Sequence, residues 1–236
     1  MYVTFDEDFD ELITAIRTNP IMDDEYWMIL LADKHLPKLE SIVEQLQQND
    51  IPFFGAVFPG LIVGKRMYYQ GAILQKVRCL IPPTCIPLAL DKAQANSLLP
   101  TCQELPDHGA TCISLIDCLS PDIDELLNFL YNRYDNRCSY FGAGAGNGQL
   151  NHKAVVFSPS GIQHHAAIIA IVPQSSNSVA KHGWKRHSGP AVASRTTGNI
   201  LHEIDWEDAE DAYRAALPEN LKNTPPERFY QDVTPR

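Results

Sequence analysis

Tyr140-Phe141-Gly142-Ala143-Gly144-Ala145-Gly146-Asn147-Gly148 is the stretch whose reading decides the fold. An aromatic strand end runs into a glycine loop. Glycine lets a backbone take positive φ and approach other groups closely, so such a loop between strands is either a tight turn or a ligand cradle. A polar strand follows around Lys153 to Phe157, then a turn at Ser158-Pro159-Ser160-Gly161. After that comes a long strand from Gln163 to Val172, apolar throughout its second half. The loop is not a Walker A motif, because no Gly-Lys-Ser/Thr follows. Nor is it a dinucleotide fingerprint, since it leads into a strand rather than a helix. The functional expectation is that its backbone N–H groups, with Asn147, hydrogen-bond a small polar or anionic ligand. The alternative is a plain strand connection.

Working outward, Thr4 with Glu7 reads as a capping box ahead of Phe9, Leu12, Ile13 and Ile16 at helical spacing. Tyr26 to Leu31 is an apolar run of strand length. Leu36, Leu39, Ile42, Val43 and Leu46 mark an amphipathic helix. A strand from Ile51 to Phe58 reaches a turn at Pro59-Gly60, and another strand spans Met67 to Val77. Residues 79–110 hold five of the seventeen prolines and read as an irregular excursion with a short helix near Lys92 to Leu98. Order returns with a strand from Thr111 to Ile116. Ser120-Pro121-Asp122 then starts a helix whose Ile123, Leu126, Leu127, Leu130 and Tyr134 form a buried face.

Residues 26–77 and 111–172 look alike: strand, helix, strand, glycine turn, long strand. An offset of 87 puts Phe54-Gly55 on Phe141-Gly142, Leu39 on Leu126 and Gly60 on Asn147. Either the chain is built from two duplicated halves, with both turns facing one cleft, or it repeats a unit common to all α/β chains. A polar linker follows Val172. Short strands are expected near Gly183 to His187, Ala191 to Arg195 and Asn199 to Ile204. Asp205 is expected to cap a helix carrying Ala209, Ala212, Tyr213, Ala216 and Leu217. The domains expected are a core over 1–176, a further region over 177–217 and a loosely held tail over 218–236.

Nineteen basic against 29 acidic residues give a net charge of −10, which argues against a nucleic-acid partner. No apolar run approaches a bilayer span, and the N-terminus lacks a signal peptide's basic start and apolar core. A cytosolic location follows, with the six cysteines reduced. No Cys-x-x-Cys pair is present. His164-His165 would alternate across a strand, so both cannot ligate one metal from one face; no metal and no cofactor is expected. Asp117-Cys118 lies beyond a strand's C-terminal end, where open α/β sheets place active-site residues, but a plain helix-start loop is the favoured reading. There is no Gly-x-Ser-x-Gly elbow. The chain is therefore expected not to be an enzyme.

The order of these features resembles the FIST family (F-box and intracellular signal transduction), chiefly its N-terminal domain. Four places carry the likeness. They are Pro52-Phe53-Phe54-Gly55-Ala56 leading to Gly60, the run Tyr140 to Asn147, and the strand Gly161 to Val172. The fourth is His182-Gly183-Trp184 with Gly198-Asn199-Ile200-Leu201-His202-Glu203-Ile204-Asp205 and Ala212-Tyr213. The resemblance covers about residues 20–217. It implies a layered α/β sandwich with sheets flanked by helices. It also implies a sensory module of signalling proteins that binds a small molecule, with amino acids proposed as ligands. Departures are Phe58-Pro59, where the family often has small hydroxylated residues, and Asn147 in place of an acid. The chain stops soon after Tyr213, so most of the usual C-terminal FIST domain is expected to be absent. A pocket is expected between Phe54, Gly55 and Gly60 on one side and Phe141, Gly142, Gly144, Gly146 and Asn147 on the other. Arg195 is expected to pair with a carboxylate, and Asn199 to add a polar contact. The partners expected are that ligand and a signalling protein; the alternative function is a protein-interaction scaffold.

Overall fold

A computed structural model describes residues 1–5, 9–89, 91–179, 185–186, 188–198 and 200–223. The first half of the chain runs β1 (Tyr2–Val3), α1 (Asp10–Arg17), β2 (Glu25–Ala32), α2 (Leu39–Gln48) and β3 (Phe53–Phe58). It continues through a hairpin, β4 (Leu61–Val63) and β5 (Arg66–Tyr68), to β6 (Ala72–Arg78). The second half repeats this order. It comprises β7 (Thr84–Pro87), α3 (Lys92–Leu98), β8 (Ala110–Asp117), α4 (Ile123–Tyr134), β9 (Cys138–Ala145), the hairpin β10 (Val156–Ser158) and β11 (Gly161–Gln163), and β12 (Ala166–Val172).

Pairing repeats with the order. Strand β2 is parallel to β3 and antiparallel to β6, which is antiparallel to β1. Likewise β8 is parallel to β9 and antiparallel to β12, which is antiparallel to β7. Gly55 lies opposite Ile29, and Gly142 opposite Ser114. A Cβ at either glycine would collide with the carbonyl oxygen of that opposite residue, so both repeats need glycine at the same point for the same reason. The duplication expected from the sequence is thus present, and it is longer than expected. The 79–110 segment is not an irregular excursion but the opening strand and helix of the second repeat. Its proline-bearing β7 is tolerated because it lies at a sheet edge.

The strands form a six-stranded sheet, β1-β6-β2-β3-β10-β11, and a four-stranded sheet, β7-β12-β8-β9. Alternate residues of β8 serve different layers. Ile113 and Leu115 join the core shared with Phe53, Trp27, Ile29 and helices α1 and α2. Ala110, Cys112 and Ile116 join the core under α3 and α4, with Leu126, Leu130 and Tyr134. Because all eight residues of β8 are buried, its near-continuous apolar run is what a strand covered on both faces requires. The result is a layered α/β sandwich.

Several boundaries differ from expectation. Helix α1 begins only after Phe9, whose φ is 59°, and Glu7 of the expected capping box lies outside the described residues. The strand expected over Met67 to Val77 breaks at Gly71, with φ of 84°, and Gln163 to Val172 breaks at His164-His165. Those histidines therefore occupy a bend rather than alternating along a strand. Leu127, expected on the buried face of α4, is exposed.

The chain divides into two compact units, Met1–Val179 and Ala180–Arg236. The second contains β13 (Ala193–Thr197), β14 (Ile200–Ile204), β15 (Glu207–Asp208) and α5 (Ala209–Ala216). Asp208, not Asp205, caps α5, its carboxylate accepting the Glu210 and Asp211 amides. Of the strand expected over Gly183 to His187 only Lys185 and Arg186 are described, and neither is in a strand; the tail from residue 224 lies outside the described residues.

Candidate functional site

The two glycine-bearing turns meet. Beyond the C-terminal ends of β3 and β9, the Gly146 amide donates to the Val57 carbonyl at 2.9 Å. The Gly148 amide donates to Asp33 Oδ2, also at 2.9 Å, and so ties the second repeat's connector to the turn after β2. Asn147 is only 4% exposed. Its Oδ1 accepts the Gln149 and Asn151 amides, and its Nδ2 donates to the Asn151 carbonyl. These contacts correct the amide-cradle expectation. The N–H groups of Gly146, Gly148 and Gln149 already have partners within the protein, and a donor so used has no hydrogen left for a ligand.

The glycine run is also not a loop through most of its length. Cys138 to Ala145 is strand β9, at the edge of the four-stranded sheet. Phe141, Gly142 and Gly144 line a small apolar cavity of about 340 Å³ with Ser114, Ile123 and Leu127. Phe54 and Gly55 sit inside β3, with Phe54 fully buried in the core. Gly60 occupies the turn after β3 and packs on Met67. In the second unit, Arg195 Nε pairs with Glu203 Oε1 at 2.9 Å. Asn199 lies outside the described residues. The expected set is therefore distributed over a core strand, an edge strand, a turn and a separate unit.

What the convergence creates is an open cleft that sequence reasoning missed. One cavity of about 500 Å³ lies between Leu36, Leu39 and Glu40 on one wall and His152, Lys153 and His164 on the other. A second, of about 360 Å³, is lined by Asp33, Lys34, Asn147 and Gln149, and shares Leu36, Pro37 and Lys153 with the first. The walls come from the turn after β2 with the start of α2, and from the connector after β9 with the end of β11. This is the strand-end position where open α/β sheets hold ligands. Lys153 and Glu40 are exposed, and neither enters an ion pair among the described residues. The cavity thus presents one cation, one anion and aliphatic surface together. Only the polarity of the segment at Lys153 hinted at it.

Asp117, at the end of β8, is buried and positions backbone: Oδ1 accepts the Leu119 amide and Oδ2 that of His165. Burial, then the Asp117 carboxylate, push the neighbouring Cys118 thiol up. This is the reverse of what activates a nucleophilic cysteine. Among the described residues, no group of three His, Cys, Asp or Glu side chains is placed to hold a metal. Nor is any helix long and apolar enough to cross a membrane.

Fold and cleft together define a two-repeat α/β sandwich that opens at the ends of its parallel strands. The FIST N domain family model matches residues 27–207, and the chain belongs to that family of signal-transduction modules. No curated protein and no solved structure gave a match.

Proposed function

We propose that the chain is a non-enzymatic cytosolic input module whose cleft binds a free amino acid or a related small carboxylate as a signal. The observation that carries this reading is the 500 Å³ cavity in which Lys153 and Glu40 face apolar Leu36, Leu39 and Ile162. An amino acid needs a cation for its carboxylate, an anion for its ammonium group and apolar surface for its side chain. Such a cavity supplies all three. The Asp33–Gly148 bond supports the reading further, because it fixes both walls before a ligand arrives.

Thermal-shift screening of the full chain against amino acids and simple carboxylates tests it. A true ligand at about 100 times its dissociation constant adds roughly 2.7 kcal/mol of stability. Lys153→Ala should weaken every hit by about tenfold, near 1.4 kcal/mol. Glu40→Gln should weaken amino acids while sparing carboxylates that lack an ammonium group. Absence of any hit, or hits indifferent to both substitutions, removes this site.

A further inference from the structure

The repeat is incomplete in one place. In the first half, the outer edge of β3 is covered by the β10–β11 hairpin, which belongs to the second half. Phe157 lies opposite Gly55 there and is 0% exposed. The corresponding outer edge of β9 has no neighbour among the described residues. Strand β9 reads Cys-Ser-Tyr-Phe-Gly-Ala-Gly-Ala, with no charge and no proline. Solvent-exposed edges normally carry such blockers, and a bare one templates strand addition. Beside Gly142, where the first half seats Phe157, lies the open apolar cavity of about 340 Å³. Phe141 at its margin is 53% exposed.

The matching hairpin exists. β4–β5 pairs as Leu61 with Tyr68, Ile62 with Met67 and Val63 with Arg66. β10–β11 pairs as Val156 with Gln163, Phe157 with Ile162 and Ser158 with Gly161. Ile62 therefore corresponds to Phe157, yet it is 68% exposed, and Met67 beside it is 52% exposed. The two connections differ in length. Residues 146–155 carry β10 across to the other sheet, whereas only Pro59 and Gly60 separate β3 from β4. The three Cα steps from Phe58 to Leu61 reach at most about 11 Å, a short tether beside the ten-residue connection that β10 uses. Within the molecule β4 pairs only with β5, and the seat on β9 stays open among the described residues.

We infer that a second copy of this chain supplies it: the β4–β5 hairpin of one molecule adds antiparallel to β9 of another, with Ile62 over Gly142. This interface stands independently of the ligand cleft. Main-chain hydrogen bonds provide the affinity and the Ile62 seat provides the register, as in other strand-addition complexes. Such exchange between copies joins subunits without creating new structure.

Sedimentation equilibrium of the full chain, from micromolar to near-millimolar concentration, tests the inference. The expected result is reversible self-association that Ile62→Glu and Ala143→Lys each weaken by about tenfold or more. Both positions are exposed, so melting curves of the variants should match the parent. Hydrogen exchange should show the β9 amides gaining protection as concentration rises. A chain that stays monomeric throughout overturns the proposal. Association that survives Ile62→Glu also overturns it, because the occupant of the β9 edge would then not be this hairpin.

Discussion

Gly55 shows how a single missing side chain sets the packing of a repeat. An added Cβ meets the Ile29 carbonyl and the Phe157 ring, neither of which has room to move between paired strands. Gly55→Ala is therefore expected to cost about 3 kcal/mol, toward the upper end for overpacked cores. At Gly64 nothing lies within reach of a Cβ, and only its φ of 63° opposes a side chain, so Gly64→Ala should cost about 1 kcal/mol. Urea denaturation of both variants checks the contrast, and equal losses would contradict it. The buried thiols give a second residue-scale expectation. Burial raises Cys79 and Cys112 from 9.0 to about 12. An unfolded chain releases these protons above pH 9 while the folded one keeps them. The stabilisation is thus complete below pH 9 and declines as pH climbs toward 12, by about 1.4 kcal/mol per pH unit for each thiol. Denaturation midpoints measured from pH 8 to 11 should fall more steeply than those of a Cys79→Ala, Cys112→Ala double variant.

Among the elements, the connector from Gly146 to Val155 is where fold and site become one problem. It carries β10 over to β3, forms one wall of the cleft and is held in shape by Asn147. Asn147→Ala removes a buried side chain that satisfies two amides and one carbonyl, leaving those groups unpaired. A loss of about 1–3 kcal/mol is expected from that cause. Because the same turn positions Lys153, ligand affinity should fall with it, whereas Gln149→Ala on the exposed rim should leave stability unchanged. Calorimetry of the two variants separates these outcomes. Helix α4 makes a complementary point. Its helical spacing is correct, but Leu127 stays exposed because β9, the strand beneath it, has glycines where a facing side chain would stand.

For the whole molecule, the division after Val179 separates the sandwich and its cavities from the remaining strands and helix. Residues 1–179 expressed alone are expected to unfold in one cooperative transition and to bind whatever ligand the full chain binds. Far-ultraviolet circular dichroism through a urea titration tests this. A broad or absent transition would show that residues beyond 179 complete the core. The family match extends to residue 207, so this experiment also asks how much of the family's conserved length the fold itself needs.

The elements themselves were legible because their signals are local. Apolar spacing marked α2 and α4, apolar runs marked β2 and β12, and the offset of 87 that puts Gly55 on Gly142 raised the repeat as one of two readings. Tertiary structure decided how they are used. Glycine suits a turn and a close-packed strand equally well, so Gly142-Ala143-Gly144 gave no sign of being a sheet edge until its neighbour Ser114 was known. The cleft was equally hidden, since its walls join through Asp33 and Gly148, 115 residues apart. No local pattern records which distant backbone a strand chooses to pair with; that choice follows from burying both repeats' apolar faces at once.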